Sequence, residues 1–307
     1  MIFKFIKTFF IILQVFFKRK YNKIPVNFIE INKDLNVEKI ELTVPKIIWM
    51  YWNTDNIPNI VKLCIKSVKT YCFDYEINIL NSSNINQYID LPLLSEDVLP
   101  AQKADLIRLE LLTNYGGVWM DASIFLTENL DWILSKLTSQ DAFLFYSDEC
   151  TLDLKNPISE NWLIVAPLQS RFIKDWRDEF RKCITSNNPK TYYSNIMFNA
   201  EIVQNLSRPE YLLCYISAIV CLRSGKYNIL YASSGSVGHY YNYNYNWNGY
   251  AIATCLLFKN YKYVFTPKLI KFTSDTRKPV DFFLKYRIFN SQSVLLKNFK
   301  DHDSGVY

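Results

Sequence analysis

Asp105 and Arg108 stand three residues apart in "AQKADLIRLELL" (101–112), a segment made of strong helix formers, so both side chains leave one face of a helix. A carboxylate beside a guanidinium there is either an intrahelical ion pair or the edge of a site for phosphates and hydroxyls, which the planar guanidinium fork suits better than an ammonium. The chain continues as "TNYGGVWMDAS" (113–123). Gly116 and Gly117 end the helix, Val118–Met120 reads as a buried strand, and Asp121 follows directly. In α/β sheets ligands collect at the carboxyl ends of strands. Asp121 is therefore either a turn aspartate or a ligand for a divalent cation, because Mg²⁺ is usually held by one or two carboxylates plus substrate phosphates. Ser123 adds a hydroxyl beside it. Only two histidines, His239 and His302, are present, which argues against a histidine-built zinc site.

The flanking elements must place these groups. "VPKIIWMYW" (44–52) predicts a strand, "IPNIVKLCIKSVKTY" (57–71) a helix with Pro58 near its start, and "YEINILN" (75–81) a second strand. Strand–helix–strand order points to an α/β fold with a parallel sheet. Further core strands are expected at 142–147, 161–167 and 227–233. Helices are expected at 169–183, 192–205 and 208–222, and 256–273 leans towards strand.

Half of the 307 residues are hydrophobic and 16% are aromatic, enough to bury a large core. The seven cysteines form no C-x-x-C pair and read as reduced, buried thiols. The net charge of +6 is supplied by Lys4, Lys7, Lys18, Arg19, Lys20 and Lys23, leaving 29 basic and 29 acidic residues elsewhere. A balanced body does not fit a nucleic-acid binder. In "MIFKFIKTFFIILQVFFKRK" Lys4, Lys7, Gln14 and Lys18 fall in one sector about 80° wide on a helical wheel. That pattern predicts an amphipathic helix lying in a membrane interface, the apolar run being too short for a confident span. "HYYNYNYNWNGY" (239–250) alternates aromatics with asparagines. If extended, it presents Tyr241, Tyr243, Tyr245 and Trp247 on one face for stacking on sugars; otherwise it is a polar loop.

Taken together, "VPKIIWMYW", "PNIVKLCIKSVKTY", "AQKADLIRLELLTNYGGVWMDASIFLTENL" (101–130), "NWLIVAP" (161–167) and, more weakly, "TPKLIKFT" (266–273) resemble the capsular polysaccharide synthesis protein family. These are bacterial sugar transferases related to the glycosyltransferases with a DXD sugar-binding region. The resemblance implies an α/β, GT-A-like nucleotide-sugar-binding fold over 44–273, with a mostly parallel central sheet flanked by helices. Around it would lie an amphipathic helix (1–23), a connector (24–43) and a C-terminal tail (274–307) packing on or extending from the domain.

It also implies a nucleotide-sugar donor, a glycan or lipid-linked acceptor, and peripheral attachment through residues 1–23 at the cytoplasmic face of a bacterial inner membrane. Asp105 and Arg108 would face the donor sugar and its phosphates. Trp49, Met50 and Tyr51 would lie near the base, and Gly116, Gly117, Asn161 and Trp162 would belong to the donor site. Asp121, helped by Ser123, would hold Mn²⁺ or Mg²⁺. "DAS" lacks the second carboxylate of a DXD triplet. Asp148, Glu149, Asp153 and His239 are available as a general base, so retention or inversion stays open. A non-catalytic carbohydrate-binding or assembly protein on the same fold is the alternative, and a metal-dependent phosphohydrolase would need more acids around Asp121.

Overall fold

Side chains alternate between the two faces of a strand, and in this chain each face meets its own apolar core. The computed structural model describes residues 2–18, 21, 23–33 and 43–299; within its first helix, the side chains of residues 2–5 and 7 lie outside the described set. Nine strands are described: β1 (Phe28–Ile31), β2 (Ile47–Tyr51), β3 (Glu76–Leu80), β4 (Gly117–Met120), β5 (Ile124–Leu126), β6 (Ala142–Tyr146), β7 (Ser159–Ala166), β8 (Ile229–Ser233) and β9 (Leu269–Lys271). The helices are α1 (Ile2–Phe17), α2 (Asn59–Tyr71), α3 (Pro100–Tyr115), α4 (Asp131–Leu134), α5 (Arg171–Ile184), α6 (Ala200–Val203), α7 (Leu213–Ser224), α8 (Tyr240–Asn244), α9 (Gly249–Ala253) and α10 (Ser274–Lys285).

Seven strands form one sheet in the order β1–β8–β6–β7–β4–β2–β3. The sheet is mixed, which corrects the expectation of a mostly parallel one. β2 runs parallel to β3 and β4, and β6 parallel to β8, but β7 is antiparallel to both its neighbours and β1 is antiparallel to β8. The reversal at β7 was hidden because its buried apolar run looks the same in either direction. Ile48, Met50, Val118 and Met120 enter one core with α2 and α9, whereas Trp49, Tyr51 and Trp119 enter the other with α3, α5 and α7.

The two adjacent glycines have separate jobs. Gly116, at φ +64°, caps α3, its N–H donating to Leu112 O at 2.9 Å. Gly117, at φ +90°, brings β4 so close to β2 that a Cβ there would lie 2.6 Å from Ile47 O. Only glycine fits that approach without moving a backbone.

Four expectations are corrected at the level of elements. The connector contains β1, paired to β8, so it closes the sheet's edge. Residues 192–205 hold only the single turn α6. The strand-leaning 256–273 opens in a π-helical turn, Thr254–Phe258, and reaches strand only at β9. The Tyr/Asn segment is helical at α8, so its aromatics point in several directions.

α1 is packed on the body through its last turns. Val15 is 3% exposed within the core, and Lys259 Nζ donates to Val15 O (2.9 Å), Phe16 O (3.2 Å) and Lys18 O, capping the free carbonyls of the helix end. Ile6, Phe9, Phe10, Leu13, Phe16 and Phe17 remain exposed on α1. No helix among the described residues is long and apolar enough to cross a membrane.

Candidate active site

At the carboxyl end of β4 the chain opens into a cavity of about 830 Å³. Its walls come from the end of β2, the start of α3, the β4–β5 turn, the first half of β7, the loop before α7, and the start of α10. The backbone holds the β4 corner through Asp121 N–H donating to Trp162 O at 2.8 Å and Ile124 N–H donating to Asp121 O at 3.0 Å.

Arg108 is the hub. Its guanidinium, on a side chain only 5% exposed, pairs with Asp105 through Nη1 and with Asp121 Oδ1 through Nη2 at 3.0 Å, and it stacks 5.0 Å from the Trp119 ring. Trp119 Nε1 also donates to Asp121 Oδ1 at 3.0 Å, and Asn161 Nδ2 donates to Asp105 Oδ1 at 3.0 Å. The i,i+3 pair read in the sequence is therefore tied across to the strand end 13 residues later.

One member was not recognised in the sequence. Lys271 Nζ donates to Asp121 Oδ2 at 2.6 Å and to Ser123 Oγ at 2.9 Å. The antiparallel pairing of β5 with β9 puts Lys271 opposite Ile124, and Phe272 N–H donates to Ser123 O at 3.0 Å. A lysine 150 positions from its partner leaves no local spacing signal.

Burial pushes the Asp121 carboxyl up, but the Lys271 and Arg108 charges outweigh it and hold the group below the usual carboxylate range. Asp105, more deeply placed, goes the other way: burial outweighs Arg108, the Asp121 charge adds to the rise, and its pKa reaches about 6.

A second cluster lines the cavity beside the first. Glu160 on β7 accepts from Tyr215 OH at 2.7 Å, and His239 Nδ1 lies 3.6 Å from its other oxygen. Burial drives Glu160 up to about 7 despite the Tyr215 hydrogen bond. Burial and then Lys271 push His239 down to about 3, and both of its ring nitrogens are buried without a hydrogen-bond partner.

Asp105, Arg108, Asp121, Ser123, Asn161, Trp162, Tyr51 and Trp247 all line the cavity. Other candidates do not. Trp49 and Met50 are buried in the two cores, Trp49 Nε1 donating to Gly116 O at 3.0 Å. Gly116 and Gly117 press against Leu168 and Ile47 rather than a ligand space. Tyr241 and Tyr245 are core residues, and Tyr243 stays behind the wall with its hydroxyl 3.1 Å from Ser234 Oγ.

Among the proposed bases, Asp148 is spent on Ser233, Ser234 and Gly235 N–H, and Asp153 caps its own loop at Lys155 and Asn156. Glu149 accepts from Trp247 Nε1 at 3.1 Å and does not line the cavity. Glu160 was missed because it sits in a run that reads as core strand. Arg277 lies over Trp52 at 4.9 Å on the first turn of α10, whose start lines the same cavity.

The residues present do not fit Mn²⁺ or Mg²⁺. Asp121 Oδ1 is taken by Arg108 and Trp119, and Oδ2 and the Ser123 hydroxyl by Lys271. No group of three or more His, Cys, Asp or Glu among the described residues could hold a metal ion.

A family model described as capsular polysaccharide synthesis protein matches residues 4–217. The chain belongs to that family. The family match includes Asp105, Arg108, Asp121 and Glu160 and stops before Lys271 and α10. A curated relative, the O-glycosyltransferase braB of Annulohypoxylon truncatum, is 24% identical over an alignment 160 residues long that covers 46% of this chain and 38% of the relative. The match thus spans well under half of that relative's length.

Among solved structures, the PaToxG glycosyltransferase is 16% identical, with 91% of this chain and 96% of that one covered at a TM-score of 0.37. The apo form of the glycosyltransferase GlyE from Streptococcus pneumoniae TIGR4 is 13% identical, with 84% and 63% covered at 0.43. The galactosyltransferase LgtC, in complex with donor and acceptor sugar analogs, is 10% identical, with 85% and 100% covered at 0.39. All three are remote likenesses.

Proposed function

We propose that this member of the capsular polysaccharide synthesis family is a nucleotide-sugar-dependent glycosyltransferase of GT-A-like design. The observation that carries the reading is the Asp105–Arg108–Asp121–Lys271 chain at a strand end, facing a cavity large enough for a nucleotide sugar. The donor diphosphate lies towards Lys271 and Arg277, two cations that line the cavity, while the Asp275 carboxylate of the first turn of α10 is paired with Lys278. The sugar lies towards Asp105, Asn161 and Arg108.

In the reaction the bond from the anomeric carbon to the diphosphate breaks with its electron pair on the leaving oxygen. Fixed cations stabilise that developing charge without reorganising. The acceptor oxygen takes the anomeric carbon. Glu160, with a pKa brought near neutrality, is placed to take the acceptor's proton if the reaction inverts configuration. The acceptor is a glycan or a lipid-linked glycan, and the exposed phenylalanines of α1 rest in a membrane interface beside it.

A thermal-shift screen of nucleotide sugars, nucleoside diphosphates and free glycans tests this, because specific binding stabilises the folded state by mass action. Nucleotide sugars should raise Tm, and hydrolysis of the best one should fall by roughly a hundredfold in Arg277→Met, which removes one of the fixed cations. Stabilisation by glycans alone would instead favour a carbohydrate-binding protein, the reading supported by Trp247 in the cavity wall.

A further inference from the structure

We infer that this transferase uses no divalent metal: the Lys271 ammonium, seated between Asp121 Oδ2 and Ser123 Oγ, is the built-in cation that receives the donor's diphosphate. The inference rests on the transferase reading and adds how its anion is held.

The lysine is built into the site. Its side chain is 10% exposed, its N–H donates to Gly238 O at 2.9 Å, and its carbonyl accepts from Asn242 Nδ2 at 3.0 Å. β9 pairs it with β5, so backbone on several sides fixes where the stem starts. An ammonium carries three N–H donors. Asp121 and Ser123 take two, and the third is available to a ligand oxygen in the cavity.

A divalent ion has no comparable seat. It would have to expel Lys271 from the same two oxygens or stand beside it, cation against cation. The missing second carboxylate of the triplet now has a physical reason. With an aspartate at 123, two carboxylates would flank one ammonium and cancel the charge a diphosphate needs. Serine accepts a hydrogen bond without adding a second negative charge to the one that Asp121 already sets against Lys271. Arg277 lines the same cavity and adds a second cation, while Asp275 in the first turn of α10 also lines it and is paired with Lys278.

The test is calorimetric titration of the full chain with nucleoside diphosphates (UDP, GDP, CDP, ADP) and their sugars, in EDTA and in Mn²⁺. The expected result is that the tightest ligand binds with a Kd differing by less than about threefold between the two conditions, while Lys271→Met weakens binding in EDTA by about tenfold or more, as loss of a charge-assisted hydrogen bond does. Lys271→Arg, which keeps the charge, should retain measurable binding in EDTA and guards against misfolding of the methionine variant.

Electron paramagnetic resonance of Mn²⁺ mixed with the wild-type chain alone should show only the free aqueous ion. Binding that needs Mn²⁺ by more than about tenfold, or protein-bound Mn²⁺ abolished by Asp121→Asn, overturns the inference and leaves the transferase standing. Absence of any nucleotide binding in either condition overturns both.

Discussion

Replacing Arg108 with methionine keeps most of the side chain's apolar volume and removes the charge that joins Asp105 to Asp121. Asp121 still has Lys271 and Trp119. Asp105, 15% exposed, is left with the hydrogen bond from Asn161 Nδ2. Removing one partner from a buried ion pair typically costs about 3–5 kcal/mol, because the other charge stays buried and uncompensated. That figure applies only while Asp105 is ionised.

Burial already lifts its pKa to about 6 against Arg108's opposing pull, so losing the arginine lifts it further. In the variant, Asp105 then keeps a proton that the unfolded chain has released, and stability falls as pH rises towards the new folded pKa. The deficit against wild type should be near ~1–2 kcal/mol at pH 5.5, where Asp105 is largely protonated in both proteins, and open to about 3–5 kcal/mol at pH 8. Urea denaturation at the two pH values measures it. Adding Asp105→Asn to Arg108→Met should recover roughly half of the pH 8 loss, since no orphaned carboxylate then remains. A deficit equal at both pH values, or no recovery in the double variant, would refute the reasoning that a buried charge network holds this corner.

Glu160 gives a second pH signature: its pKa of about 7 means the folded state holds a proton that the unfolded state sheds near 4.5, so stability declines between those values by about 3 kcal/mol. Glu160→Gln should flatten that decline in urea titrations and, if the reaction inverts, depress kcat while leaving donor affinity within about threefold. Gly117→Ala forces a Cβ to 2.6 Å from Ile47 O at φ +90°, and should lower stability by roughly 3 kcal/mol or more or abolish soluble expression. Substituting Phe9, Phe10 and Phe17 with serine should leave Tm nearly unchanged, because these rings are exposed, yet abolish co-sedimentation with anionic phospholipid vesicles. Sedimentation equal to wild type would remove the membrane role from α1.

The parts of the site that could be read in the sequence are those built from short-range rules. Leucines and isoleucines around Asp105 and Arg108 announce α3, two glycines announce its end, and a strand ending in Asp121 follows within a few residues. Helical and strand periodicities are local, so α2, α5, β2, β3 and β8 were legible for the same reason. Lys271 was not, because it reaches Asp121 only through β5–β9 pairing, a long-range choice that propensity does not encode. Glu160 was masked by the apolar residues that follow it in β7. In 239–250, period-two composition suggested a strand, but Tyr241 and Tyr245 are one helical turn apart and stack at 6.2 Å, so the aromatic spacing also satisfied a helix. Tertiary burial decided between the two.

The pairing of β5 with β9 also sets an order of events during synthesis. A nascent chain emerging from its N-terminus exposes Asp105, Arg108 and Asp121 long before Lys271 leaves the ribosome, and the β1–β8 edge likewise waits for residue 229 and beyond. Until then the Asp121 carboxylate lacks the ammonium that holds one of its oxygens in the finished protein. The charge chain at the cavity is therefore completed late, when β9 docks on β5, and a chain stopped short of that strand carries Asp105, Arg108 and Asp121 without the ammonium that joins them.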